Sequence, residues 1–187
     1  MKLSNEEVTR YSRHLTLPEV GMQGQLKLKE AKVLMIGAGG LGSPLGMYLG
    51  AAGIGTIGVI DFDVVDQTNL HRQIAHSVGD LGRSKAESLQ ETLLAANPNL
   101  RVEVHDERLT RDNAIELFEC YDIIADGSDN FETRYLINDA AFFTKKPLVS
   151  ASIFRFQGQL SVFDPASGGP CYRCLYSQPP PASLVPS

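Results

Sequence analysis

Six consecutive residues, Gly37-Ala38-Gly39-Gly40-Leu41-Gly42, spell G-x-G-x-x-G between an apolar run and a helical pattern. Their chemistry follows from what they lack. Without a Cβ, backbone amides can close on phosphate oxygens, and the N-terminus of the following helix adds unpaired N–H groups and a partial positive charge. Glycines at this place also allow close helix-to-sheet packing, so the turn alone reads either way. Asp61 ends the next apolar run, roughly 20 residues on, where an acid that binds ribose hydroxyls is expected; a solvated turn acid is the plainer alternative. Asp63 follows just beyond the same strand end.

Asn69-Leu70-His71-Arg72-Gln73, preceded by Thr68, puts amides and a guanidinium into one long polar loop. Lys85 then stands in the first turn of the next helix. A cation there opposes the helix dipole and calls for an anion opposite it, unless the lysine is simply exposed. Asp126-Gly127-Ser128-Asp129-Asn130 supplies carboxylates at a further strand end, where Asp129 either meets a ligand or caps the following helix. A glycine turn, a ribose-type acid, two cations able to reach phosphates and a carboxylate able to hold Mg²⁺ describe a nucleoside triphosphate site better than a nicotinamide site. Hydride transfer needs no cation cluster. An anionic nucleophile attacking an anionic phosphate does, because Arg, Lys and Mg²⁺ must screen the repulsion.

The elements that must position these groups alternate. Ser4 and Glu7 have capping-box spacing, so a helix starts there and ends before Pro18, with a second amphipathic stretch over Met22–Lys29. Lys32–Ile36 is a strand, and Ser43-Pro44 reads as N-cap and first helical residue of a helix burying Leu45, Tyr48, Leu49 and Ala52. Thr56–Ile60 is a strand, Ser84–Asn97 a helix, Arg101–His105 a strand, Asp112–Phe118 a helix and Tyr121–Ala125 a strand. A helix with Leu136, Ala140 and Phe143 inward follows DGSDN, then strands at Pro147–Ala151 and Gly158–Phe163. The expected fold class is α/β, doubly wound, a mostly parallel sheet with a Rossmann-like core. Its segments are 1–30 (helical), 31–170 (nucleotide-binding) and 171–187 (a C-x-x-C pair and a proline-rich loop).

Composition narrows the classes. The 187 residues carry 17 basic and 22 acidic side chains, a formal charge of −5, which argues against a general nucleic-acid binder. Val33 to Ile60 has no charged residue, yet nine of the 17 glycines and Pro44 punctuate it, so it reads as strand, turn, helix and strand rather than a membrane span. Three cysteines and a charged N-terminal stretch predict a cytoplasmic protein without a disulfide framework. Cys120, beside a buried strand, is expected to be packed. His71 is expected to touch nucleotide through its backbone; His14, His76 and His105 read as surface or packing groups.

The stretches GAGGLGSPLGMYLGAAGIGTIGVIDFDVVDQTNLHRQ, GRSKAE, DGSDNFETRYLIND and GQLSVFDP with CYRC resemble, in order, the MoeB/ThiF group of ubiquitin-activating-enzyme-like adenylyltransferases, most closely its MoeB branch. The resemblance runs from RYSRH to Cys174. It implies a homodimer that uses Mg-ATP to adenylate the C-terminal glycine carboxylate of a ubiquitin-like sulfur-carrier protein ending in Gly-Gly, releasing pyrophosphate. By position it implies that the turn, Gly40 above all, approaches the phosphates, Asp61 binds ribose, Thr68–Arg72 wraps the nucleotide, Arg72 and Lys85 hold phosphates and Asp129 ligates Mg²⁺. Arg13 matches an arginine that family dimers send into the neighbouring subunit's site.

Cys171-x-x-Cys174 has the spacing of half a zinc knuckle, and tetrahedral Zn²⁺ needs four ligands. The second pair comes later in the family, so either the chain is a fragment or zinc is absent or shared; a redox or structural cysteine pair is the alternative. Two other functions compete with adenylation. An NAD-dependent oxidoreductase would leave Lys85 and DGSDN idle, and a truncated, inactive member would serve only as a platform for a carrier.

Overall fold

The computed structural model of the chain describes residues 2–180; of the proline-rich tail, residues 181–187 lie outside them. In order, the elements are α1 (Asn5–Arg10), α2 (Ser12–Leu15), α3 (Gly21–Glu30), β1 (Lys32–Ile36), α4 (Gly42–Ala52), β2 (Thr56–Ile60), α5 (Lys85–Ala96) and β3 (Arg101–His105). There follow α6 (Ala114–Glu119), β4 (Ile123–Asp126), α7 (Phe131–Thr144), β5 (Leu148–Phe154), β6 (Gln157–Phe163) and α8 (Tyr172–Leu175).

The strands form one sheet in the order β3-β2-β1-β4-β5-β6. All neighbours pair in parallel except β5 and β6, an antiparallel hairpin turning at Arg155. Strand side chains alternate between faces. On β1, Leu34 and Ile36 enter one buried cluster with Phe118, Ile124 and Ile137, while Val33 and Met35 enter another with Val59, Leu89 and Leu93. With both faces covered, a central strand must be apolar throughout, which is why KVLMI reads as a continuous run. Strand order reverses between β1 and β4, and a crevice opens beyond their carboxyl ends.

The N-terminal segment is fastened to this core. Ser4 Oγ accepts the Glu7 N–H at 3.2 Å and Glu7 Oε2 accepts the Ser4 N–H at 2.7 Å, the expected capping box. The helix expected to reach Pro18 breaks at Tyr11. That tyrosine is buried, its hydroxyl accepting from Asn97 Nδ2 at 2.8 Å, and Gln25 of α3 donates to the Ala52 carbonyl at 2.9 Å.

Four local expectations need correction. The buried face of α4 is centred on small residues: Gly42, Ser43, Gly46 and Gly50 are buried, Leu45 and Leu49 pack half-buried against the core as expected, and Tyr48 is 77% exposed. A Cβ on Gly46 would stand 3.3 Å from Met35 Cε on β1 and one on Gly50 3.0 Å from Leu100 Cδ1, so small residues let this helix lie close on the sheet and on the segment before β3. Ser43 is not the N-cap; Leu41 holds that position without a side-chain bond, and the Ser43 hydroxyl donates inward to the Ala38 carbonyl at 3.3 Å. On α7, Phe143 is 74% exposed, because Tyr135, Ile137, Asn138, Ala140 and Ala141 form the inner face. Cys120 is exposed just past α6, its thiol donating to the Glu116 carbonyl at 3.4 Å.

Candidate functional site

After β1 the backbone turns through Gly37, whose φ of 97° favours glycine. A Cβ on Gly42 would lie 1.9 Å from the Gly37 carbonyl oxygen, so turn and helix start meet backbone to backbone. Gly39, Gly40 and Leu41 border a cavity of about 450 Å³ at the crevice between β1 and β4. Among the described residues, no protein group accepts the N–H groups of these three. Unpaired amides ahead of an eleven-residue helix form a receptor for an anion.

Asp61 ties the turn to β2. Its Oδ2 accepts the Ala38 N–H at 2.7 Å and its Oδ1 the Asp63 N–H at 2.8 Å. Burial raises its carboxyl above the usual carboxylate range, a push opposed by those two amides and by Lys85. Asp61 also lines the cavity, and each carboxylate oxygen keeps a lone pair beyond the one that accepts an amide.

Lys85 reaches the same cavity from the first turn of α5. The anion that its position demanded is the protein's own: Lys85 Nζ lies 2.8 Å from Asp63 Oδ2, and its side chain is only 8% exposed. The Asp63 carbonyl also accepts the Lys85 N–H at 2.9 Å. Asp63 is half exposed, so the pair is accessible from the cavity and can exchange partners. Opposite it, the Arg72 stem lies over Gly40, with Cδ 3.6 Å from where a Cβ would stand. Gln73, 3% exposed, also lines the cavity, and its Oε1 has no hydrogen-bond partner among the described residues.

On the β4 side, Asp126 is buried and accepts from Ser128 N–H at 2.9 Å, Ser128 Oγ at 2.6 Å and Ser150 Oγ at 3.1 Å. Burial pushes its carboxyl upward, against those bonds and the field of Arg134. The loop so fixed presents Asp129. Its alternative role is excluded: Asn130 caps α7, its Oδ1 accepting the Thr133 N–H at 2.9 Å. Asp129 is exposed and lines the cavity, with Asn130 Nδ2 at 3.5 Å. A carboxylate in that state, facing unpaired amides and cations, suits Mg²⁺ carried by a polyphosphate.

The ThiF family model matches residues 11–187. The chain belongs to the ThiF family. It is 58% identical, over 188 residues, to the probable adenylyltransferase/sulfurtransferase MoeZ of Mycobacterium tuberculosis, covering 99% of this chain and 48% of MoeZ. It is 49% identical to the sulfur carrier protein adenylyltransferase of Thermus thermophilus, over all of this chain and 70% of that protein. Among solved structures, E. coli MccB with ATP superposes with a TM-score of 0.79 at 29% identity, covering 88% of this chain and 50% of MccB. The chain thus spans about half the length of MoeZ.

In this ThiF-family chain the expected site residues divide. Gly37, Gly39, Gly40, Asp61, Asp63, Arg72, Gln73, Lys85, Asp129 and Asn130 line the cavity. Thr68, Asn69, Leu70 and His71 do not; they build the turn that delivers Arg72 and Gln73, whose N–H groups both donate to the Asn69 carbonyl at 3.0 Å. Arg13 is exposed on α2 and is not among the residues lining the cavity of its own chain. Cys171 and Cys174 stand apart from it, their sulfurs 3.7 Å from each other. Among the described residues no group of three or more His, Cys, Asp or Glu is placed to hold a metal, so the pair fits only half a zinc site.

Two cations that line the cavity escaped sequence reasoning, and so did the acid Glu107 beside one of them. Arg134, in the first turns of α7, donates from Nη2 to the Ser128 carbonyl at 2.9 Å, and its buried Nε has no partner among the described residues. The signal was present: a cation near a helix N-terminus, the same feature that singled out Lys85. Arg108, from the loop after β3, stacks over the Phe62 ring with Cζ 3.8 Å from its centroid. Four cations, Arg72, Lys85, Arg108 and Arg134, therefore converge on one crevice of an acidic chain.

Proposed function

We propose that this chain is the nucleotide-binding part of an ATP-dependent adenylyltransferase that activates the C-terminal glycine carboxylate of a ubiquitin-like sulfur carrier. The observation that carries this reading is the juxtaposition of three unpaired turn amides, the Arg72, Lys85 and Arg134 cations and an uncommitted Asp129 carboxylate around one crevice. The names of MoeZ and of the Thermus relative, and the ATP complex of MccB, point the same way. An oxidoreductase would have no use for that cation set.

In the step proposed, a carboxylate oxygen of the carrier attacks the α-phosphorus of ATP. An O–P bond forms, the bond from the α-phosphorus to the bridging oxygen breaks, and pyrophosphate leaves with the electron pair. The turn amides and Lys85 hold the polyphosphate, Asp61 orients the ribose, and Arg72 and Arg134 screen the charge shared by carboxylate and phosphate. Asp129 would hold Mg²⁺, which when bound supplies further charge neutralisation on the phosphate oxygens. Arg13 is assigned to the neighbouring site of a homodimer, and Cys171 and Cys174 to a Zn²⁺ site completed by a second ligand pair.

The test is exchange of labelled pyrophosphate into ATP, dependent on a carrier ending in Gly-Gly. No exchange with any such carrier, together with binding of NAD in preference to ATP, overturns the reading. ATP binding and tight carrier binding without exchange would select the platform instead.

A further inference from the structure

His76 lies in the loop between β2 and α5 and takes no part in the chemistry proposed above. It is 7% exposed. Its Nε2 is 3.0 Å from the Ala38 carbonyl oxygen and its Nδ1 is 2.8 Å from Ser88 Oγ on α5. A carbonyl can only accept, so Nε2 carries the hydrogen, and in the neutral ring Nδ1 accepts from the Ser88 hydroxyl. Ser43 Oγ donates to the same carbonyl at 3.3 Å, and Asp61 takes the Ala38 N–H on the other side. Ala38, central to the glycine turn, is thus held by three side chains from three parts of the chain.

The consequence lies in the next peptide group. No cis peptide bond occurs among the described residues, and in a planar trans peptide the carbonyl and the following N–H point in opposite directions. With the Ala38 carbonyl drawn into the interior, the Gly39 N–H is turned outward, unaccepted by any described protein group, at a residue that borders the cavity. If that peptide rotated, the turn would offer phosphate an oxygen in place of a hydrogen. Glycine on one side makes such rotation easy, so the orientation needs an external hold.

We propose that His76 is a positioning residue for polyphosphate: by donating from Nε2 to the Ala38 carbonyl, it fixes the peptide whose N–H meets the anion. The proposal rests on the ATP reading of the site. It separates a contribution to phosphate affinity from one to nucleoside affinity, because the ribose-side group, Asp61, is also held by the Asp63 N–H at 2.8 Å, a bond in which the imidazole takes no part.

Two replacements divide the imidazole into halves. In His76→Gln the amide nitrogen reaches the place of Nε2 and keeps the bond to Ala38. In His76→Asn the side chain keeps the Ser88 side and falls short of the carbonyl. Calorimetric titration of the full chain with ATP and with adenosine reads the difference. Near-unchanged ATP affinity is expected for His76→Gln and about tenfold weaker binding for His76→Asn, the scale of one lost hydrogen bond, with adenosine unchanged in both. Equal weakening in the two variants, or a parallel loss for ATP and adenosine, overturns the proposal. Wild-type chain without affinity for ATP would overturn the ATP reading as well; wild-type binding with an unmoved ATP-to-adenosine ratio in the variants sinks only the role of His76. Should His76→Asn not fold, Ser88→Ala, which releases the ring on its Nδ1 side, is expected to lower the same ratio about threefold, and no change in it counts against the proposal.

Discussion

Replacing Asp63 by Asn leaves the Lys85 ammonium in place and removes its counter-ion. Cutting one partner from a fully buried pair costs about 3–5 kcal/mol, and exposed pairs are worth about 0–1 kcal/mol. Here the lysine side chain is 8% exposed and the aspartate half exposed, so water can reach the vacated side and about 2 kcal/mol is expected. For a chain of this size that lowers Tm by roughly 4–8 °C in scanning calorimetry without ligand. Polyphosphate then acts as the replacement anion. In the wild-type chain ATP must displace Asp63 from Lys85; in Asp63→Asn it meets an unpaired ammonium. The ATP-induced rise in Tm is therefore expected to be larger in the variant, with affinity roughly tenfold tighter at low salt. An unchanged Tm without ATP, or a smaller ATP-induced rise in the variant, refutes the view that this pair exchanges partners.

Arg72→Ala, Lys85→Ala and Asp129→Ala are each expected to lower carrier-dependent pyrophosphate exchange by at least about 100-fold, the scale of one lost electrostatic contact, with the circular dichroism spectrum kept; near-normal exchange in all three refutes the site. Gly42→Ala drives a methyl into the Gly37 carbonyl and should destabilise by about 3 kcal/mol or more, read from denaturant midpoints. Asp126 has its carboxyl raised by burial above its reference value of 3.8, so the folded chain holds this proton more tightly than the unfolded chain and stability falls as pH rises from about 4 through the raised value. Asp126→Asn, whose Oδ1 can still accept from Ser128, should therefore gain on wild type across that window and level off above it; a difference independent of pH would speak against burial as the cause. Native chain should also react with a thiol reagent at the exposed Cys120, and a thiol released only on unfolding would contradict its placement.

The fold was legible where large apolar side chains carry the pattern. KVLMI, TIGVI and RVEVH became β1, β2 and β3 with their expected ends, and Lys85 announced the need for an anion because its place at a helix start is electrostatically adverse. That anion is Asp63, a partner from the far side of a twenty-residue loop that no local pattern indicates. On α4, Leu45 and Leu49 pack inward as expected, but the buried glycine and serine positions beside them were missed for a physical reason: they contribute little to a hydrophobic pattern, yet here they set how near the helix approaches β1 and α5. Phe143 failed similarly, since α7 keeps Asn138 inside, where its Oδ1 accepts the Tyr172 N–H at 2.8 Å. Arg108 reaches the cavity from a loop with no motif, so its role emerges only from three-dimensional proximity.

The close approach of α4 to the sheet makes the core and the anion receptor parts of one rigid body. Leu89 and Leu100, which fill the space beneath Gly46 and Gly50, are as much a foundation of the turn as Gly37. Trimming either of them lets the helix settle, and the hydrogens that await an oxyanion settle with it. Screening for heat-tolerant versions of this chain by repacking those leucines would therefore retune its grip on ligand, since endurance and recognition draw on the same few methyl groups.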